Sequence, residues 1–279
     1  MIRLAVRCPA ERAEVLLAEL LEVAPGGVEQ VDAPDGLAGV VEYAVYGARG
    51  ELPELGQLDA VAGGGRVEVR AEEVPDDWAE RWKRFYFPVL IAGRLYVRPP
   101  WEEPAQRGGV VEIVIDPGGA FGTGTHPTTR MCLELLLEVP PQGSFCDLGC
   151  GSGVLSIAAA KLGFDPVRGV DADRAALAET DRNARANGVE VGVGRVDLRR
   201  EPAPVADVVA ANLTAGLCEA VAASWATTGT RPGTAIVSGL LREEADGVAA
   251  ALAQAGLAER RRVVGGDWAA ILASYTAAR

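Results

Sequence analysis

The chain has 279 residues and a mass of 29.1 kDa, a length that holds one large domain or two unequal ones. Hydrophobic residues at 49% against 24% charged exclude a disordered chain, and with aromatics at only 5% the core has to be built mainly from Ala, Val and Leu. The formal net charge is -12, and because residues 1–75 alone carry 14 acidic against 6 basic side chains, the surface repels phosphate backbones and a general nucleic-acid binder is excluded.

Residues 2–7 alternate like a strand, and 11–24 follow with Leu16, Leu17, Leu20 and Leu21 on one stripe of a helix. Pro25-Gly26-Gly27 breaks that helix. Alternating runs at 28–33 and 37–46 read as a hairpin, and a weak helix at 52–62 and a strand at 66–73 complete a β-α-β-β-α-β order, the ferredoxin-like pattern. The spacing of Trp78, Trp82, Phe85 and Tyr86 predicts a helix over 76–87 whose aromatic face packs the front domain onto the rest or lines a substrate groove. Strands are expected at 94–98 and 110–115. From 145 on, strands at 145–148, 167–171, 189–193, 206–211 and 234–238 are interspersed with helices at 153–162, 173–186, 215–226 and 242–255. Such a pattern predicts a doubly wound, mainly parallel sheet. The runs 260–264 and 269–275 around Gly265-Gly266-Asp267 read as an antiparallel edge hairpin.

Several segments carry chemistry. Asp116 to Arg130, DPGGAFGTGTHPTTR, is dense in Gly and hydroxyls, which permits close backbone approach to a ligand; Thr125 is expected to cap the next helix, with Pro127 in its first turn. His126, the only histidine, reads more readily as a structural hydrogen-bonder than as a base. Phe145 to Gly153, FCDLGCGSG, runs from a buried strand through Gly149, Gly151 and Gly153 into a helix, a nucleotide-type cradle spaced GxGxG instead of the dinucleotide GxGxxG. Asp147, two residues before the first glycine, is the form associated with S-adenosylmethionine sites. Asp171 ends the next strand 22 residues after Gly149, where a carboxylate can accept hydrogen bonds from ribose hydroxyls of either cofactor class; Asp173 reads as a helix cap. Asn212 ends a further strand at the carboxyl edge of the sheet, where it either holds an amine nucleophile through its carbonyl oxygen or caps the helix starting near Thr214. Cys8, Cys132, Cys146, Cys150 and Cys218 include no CxxC pair, so they read as free thiols in a reducing cytoplasm, with no metal site and no export or membrane segment.

Taken together, DPGGAFGTGTHPTT, DLGCGSGVLSIAAAKLG, GVDAD, AANL, SGLL and GDW resemble the PrmA family, the methyltransferases of large-subunit ribosomal protein eleven, over about residues 76–279. The resemblance implies an α/β chain: a class I, Rossmann-like S-adenosylmethionine-dependent methyltransferase domain at 94–279, an aromatic linker helix and connection at 76–93, and a ferredoxin-like substrate-recognition domain at 1–75. It further implies cofactor contacts at Thr129, Gly149, Asp171 and Asn212, with Gly151 in the glycine turn and Phe121, Gly122, Thr123 and Gly124 in a loop over the methionine end. Asp173-Arg174 stands where relatives have Asp-Pro, a change at a helix start that leaves ribose binding intact.

The expected activity is direct in-line methylation of lysine side-chain and α-amino groups, with Asn212 as the catalytic residue that orients the amine and His126 a reserve base. The front domain matches only in size and element order. A lysine methyltransferase of the electron-transfer flavoprotein β-subunit type, an RNA or small-molecule methyltransferase, a nicotinamide oxidoreductase and a non-catalytic binding protein on this fold are the competing readings. No membrane or direct nucleic-acid contact is expected. The acidic front quarter is of the sign that would attract a basic ribosomal protein.

Overall fold

The computed structural model describes residues 2–9, 20, 29–31, 40–47, 68–73, 86–106, 108–117 and 124–275. The chain divides into two compact units, Met1–Phe85 and Tyr86–Arg279.

In the first unit, β1 (Ile2–Pro9), β2 (Glu29–Val31), β3 (Val40–Gly47) and β4 (Glu68–Glu73) form an antiparallel sheet in the order β2-β3-β1-β4. That is the ferredoxin-like order expected from the alternation. Leu4 lies opposite Val45 and Val6 opposite Tyr43, all buried, so cross-strand pairs of large apolar side chains fix the register on one face. Of the helix expected over 11–24 only Leu20 falls within the described residues, where it is helical and fully buried. The helix expected over 52–62 lies outside them, as do residues 76–85 of the aromatic helix. Tyr86 and Phe87 are described and are not helical, so the expectation of a helix reaching 87 is not met: Pro88 disfavours the helical region for the residue before it.

The second unit opens with a three-stranded sheet, β5 (Val89–Ile91), β6 (Leu95–Arg98) and β7 (Val111–Val114), with β5 antiparallel and β7 parallel to β6. The sequence reading has the last two strands and lacks β5, a three-residue strand joined to β6 by a tight turn in which Ala92 and Gly93 both take positive φ.

Its main sheet has seven strands: β8 (Phe145–Leu148), β9 (Val167–Asp171), β10 (Gly192–Arg195), β11 (Val208–Asn212), β12 (Thr234–Leu241), β13 (Leu257–Gly265) and β14 (Trp268–Tyr275), in the order β10-β9-β8-β11-β12-β14-β13. β14 is antiparallel to both neighbours, and the ladders from β10 to β12 are parallel. The terminal hairpin is therefore only half at the edge. Its second strand inserts between β12 and β13, because Ala269, Ala270, Ile271 and Ala273 are apolar on both faces and all buried, as an interior strand requires. The strand expected at 189–193 begins at Gly192; Val189 and Val191, which supplied the alternation, pack on the core before the chain reaches the exposed edge.

Among the described residues, five helices cover the sheet: α1 (Pro127–Leu136), α2 (Val154–Leu162), α3 (Arg174–Ala186), α4 (Ala215–Thr228) and α5 (Ala245–Gln254). Phe145 of β8 packs with the apolar residues of α1 and α2, whereas Cys146 and Leu148 pack with those of α4 and α5. Alternation along one buried strand thus feeds two cores, which is why the central strands read as unbroken apolar runs.

Candidate active site

The strand order reverses between β8 and β11: the chain runs from β8 outward through β9 to β10, then returns to β11 on the other side of β8. Crevices at the carboxyl ends of two such strands are where open α/β sheets bind ligands. β8 leads there into Gly149, Gly151 and Gly153, at φ of 73, 52 and 83°. Only glycine takes these values freely. The turn is pinned from outside by the Val170 carbonyl, which accepts from the Gly149 and Cys150 amides at 2.8 and 3.0 Å. A Cβ on Gly149 would stand 2.5 Å from Leu213, and one on Gly153 only 3.1 Å from the Cα of Thr180, so the turn is close to the end of β11 on one side and to α3 on the other.

Asp171 stands half-buried at the end of β9. Its Oδ2 accepts from the Gly151 amide at 3.2 Å and its Oδ1 from the Asp173 amide at 2.9 Å, which orients the carboxylate and leaves lone pairs for two hydroxyls. Asp173 caps α3 as expected, its side chain accepting from the Ala175 amide. Asn212 ends β11, and its Nδ2 donates to Thr129 Oγ1 at 3.2 Å. α4 starts from Thr214 without any side-chain cap, so the alternative role of Asn212 as a helix cap is not the one adopted. Thr129, Asn212, Leu213, Gly149, Gly151 and Asp171 form one line of contacts along the carboxyl edge. A Cβ on Gly124 would strike Val97 of β6, so packing against the small sheet accounts for that glycine; Phe121, Gly122 and Thr123 lie outside the described residues.

His126, not Thr125, is the N-cap of α1, and its Nδ1 accepts from the Thr128 amide at 3.3 Å. Its ring meets Trp268 edge-on at 5.1 Å, burial lowers its pKa, and its cap bond gives it a structural role at the start of α1. Asp147 lies beneath the glycine turn, 1% exposed, with Oδ2 accepting from the Ser156 amide and hydroxyl at 3.1 and 2.8 Å and no partner for Oδ1 among the described residues. Burial, with a smaller contribution from the charge of Asp171, pushes its carboxyl up to about 7. All five cysteines are buried, with burial pushing Cys146 and Cys218 up to about 12, so they are packing residues and not nucleophiles. Among the described residues no cluster of His, Cys, Asp and Glu could hold a metal ion, and no helix is long and apolar enough to cross a membrane.

Gly239 is a site-shaping residue absent from the sequence-level candidates. At φ 85° it creates the bulge between Ser238 and Leu240, and a side chain there would run into the carbonyl of Leu213, whose amide donates to Ser238 at 2.9 Å. The residue after Asn212 is thereby seated on β12. An isolated glycine inside an apolar strand is the available signal, since it marks a bulge or a close backbone approach.

The family model for ribosomal protein L11 methyltransferase (PrmA) matches residues 47–276. A ribosomal protein L11 methyltransferase of Heliobacterium modesticaldum is 36% identical over 92% of this chain and 86% of its own length. The one from Pelotomaculum thermopropionicum is 42% identical over 72% of this chain and 67% of its own, and that of Caldanaerobacter subterraneus 46% identical over 54% and 50%. The crystal structure of a ribosomal protein L11 methylase from Lactobacillus delbrueckii shares the fold, with a TM-score of 0.62 at 23% identity over 69% of this chain and all of that one. With the class I strand order and the glycine turn, Asp171 and Asn212 at its switch point, the chain belongs to the ribosomal protein L11 methyltransferase (PrmA) family.

Proposed function

We propose that this chain methylates lysine side-chain and α-amino groups of large-subunit ribosomal protein eleven, with S-adenosylmethionine as cofactor, residues 94–279 as the catalytic domain, 76–93 as the connection and 1–75 as the domain that recognises the protein substrate. The observation that carries the reading is the line at the switch point, with the glycine turn and Asp171 at one end and the amide of Asn212, held by Thr129, at the other.

S-adenosylmethionine supplies a methyl group on a positively charged sulfur that is already a good leaving group, so no further activation of the donor is required. Gly149 and Gly151 let the backbone approach the cofactor closely, and Asp171 holds the ribose through the lone pairs its two backbone bonds leave open. Phe121, Gly122, Thr123 and Gly124 belong to the same cofactor segment in this reading. Thr129 fixes the rotation of the Asn212 amide: with Nδ2 donating to the threonine hydroxyl, Oδ1 is left as the acceptor that would orient an N–H of the incoming amine. A lysine ammonium, with a pKa of ~10.4, has to lose its proton before transfer, and desolvation in the crevice favours the neutral amine. His126 serves as a cap, so the proton leaves to water. A ribosomal substrate makes the cytoplasm the working location.

Incubation with S-adenosylmethionine and purified ribosomal protein eleven, followed by intact and peptide mass spectrometry, tests this directly. Additions in methyl steps on lysine or the amino terminus are expected. Modification confined to another protein in a lysate would retain the chemistry and overturn the substrate.

A further inference from the structure

The buried face of α3 carries a polar stripe where an amphipathic helix would carry an apolar one. Thr180 and Asn183 are 0 and 2% exposed, and Asn187 follows one turn later at the end of the helix. Burying an amide without partners is expensive, so a stripe of this kind persists only where its hydrogen bonds are met. Each residue has a defined target. Thr180 Oγ1 donates to the Gly151 carbonyl at 2.9 Å. Asn183 Oδ1 accepts from the Asp116 amide at 3.1 Å, while its Nδ2 donates to the Ser152 carbonyl at 2.9 Å and, at 3.4 Å, to that of Asp116. Asn187 Oδ1 accepts from the Val114 amide at 2.9 Å, and its Nδ2 donates to the Val114 carbonyl at 2.6 Å and to that of Asn183 at 2.8 Å.

The two amides have different jobs. β7 is an edge of the small sheet, and a side-chain amide presents a donor and an acceptor side by side, as a neighbouring strand would; Asn187 uses both on one residue of that edge. Asn183 is shared. It holds Asp116, where the segment DPGGAFGTGTHPTT begins, and with the same amide it holds Ser152 inside the glycine turn.

We propose that Asn183 is a positioning residue for the cofactor site, its single amide fixing the start of the 116–130 segment to the glycine turn so that both sit correctly for S-adenosylmethionine. The inference rests on the cofactor assignment above. Loss of Asn183 forfeits contacts to both segments at once, whereas loss of Asn187 frees an edge strand and leaves the glycine turn held.

The test is calorimetric titration of the full-length protein with S-adenosylhomocysteine, for the wild type, Asn183→Ala and Asn187→Ala, with melting temperatures measured alongside. Both variants should melt earlier. Asn183→Ala is expected to weaken binding by about tenfold or more, the equivalent of one lost hydrogen bond, and to raise KM for S-adenosylmethionine without changing KM for the protein substrate; Asn187→Ala should stay within about twofold of wild type. Wild-type affinity in Asn183→Ala, or an equal loss in Asn187→Ala, would overturn the assignment. If Asn183→Ala does not fold, Asn183→Asp keeps the acceptor for Asp116 and loses the donor to Ser152; it should show the same weakening, and undiminished affinity there counts against the proposal. Absence of binding by the wild type would instead remove the cofactor reading on which the inference stands.

Discussion

Asp147 shows most clearly how one residue of the site trades stability for position. Its carboxyl holds the start of α2 through Ser156, yet it is buried with one oxygen unbonded among the described residues, and its pKa stands near 7 against an ordinary value of 3.8. A folded-state pKa above the unfolded one means that the native chain holds the extra proton. Stability from this group is complete below about pH 4 and is lost as pH rises through about 7, with an upper bound of about 4 kcal/mol. Asp147→Asn removes the titration, so chemical denaturation of the cofactor-free protein should show the variant gaining on the wild type between about pH 4 and pH 8. A constant difference across that range would show that the carboxyl titrates normally. Of the site residues, Gly149, Gly151 and Asp171 are legible because one strand-turn-helix unit and a fixed offset place them. Thr129 is named only through the family resemblance and Asn183 not at all: their partners lie 83 and 67 residues away along the chain, and no local pattern encodes such pairings.

At the scale of elements, alternation and helical stripes recover nearly every strand and helix after residue 145, because each central strand is buried on both faces and each helix on one. The failures have specific causes. β5 is too short to show a period, and β14 finds its hairpin partner in sequence while its second partner, β12, is a choice made only by the assembled sheet. Gly239 marks where that assembly touches the site. Gly239→Ala forces a side chain into a positive φ and against the Leu213 carbonyl, so the urea midpoint should fall by the equivalent of at least about 2 kcal/mol and S-adenosylmethionine binding should weaken with it. An unchanged midpoint would mean that the bulge can be lost without disturbing the end of β11.

For the whole molecule, the uneven charge gains a purpose once the substrate is taken as a basic ribosomal protein. In the proposed reading, the 14 acidic side chains of residues 1–75 against 6 basic ones would draw a cationic partner and turn away phosphate. KM for the protein substrate should therefore rise severalfold between about 50 and 300 mM salt while KM for S-adenosylmethionine stays level; a salt-independent value for the protein would reduce the acidic face to a solvated surface.

Methyl transfer is proposed at the carboxyl end of β11, where the Asn212 amide is held by Thr129. A single-turnover rate for Asn212→Ala, measured on ribosomal protein eleven with S-adenosylmethionine saturating, tests it most directly. A loss of about 100-fold or more in that rate is expected, with the fold intact. A variant that transfers methyl at the wild-type rate would contradict it.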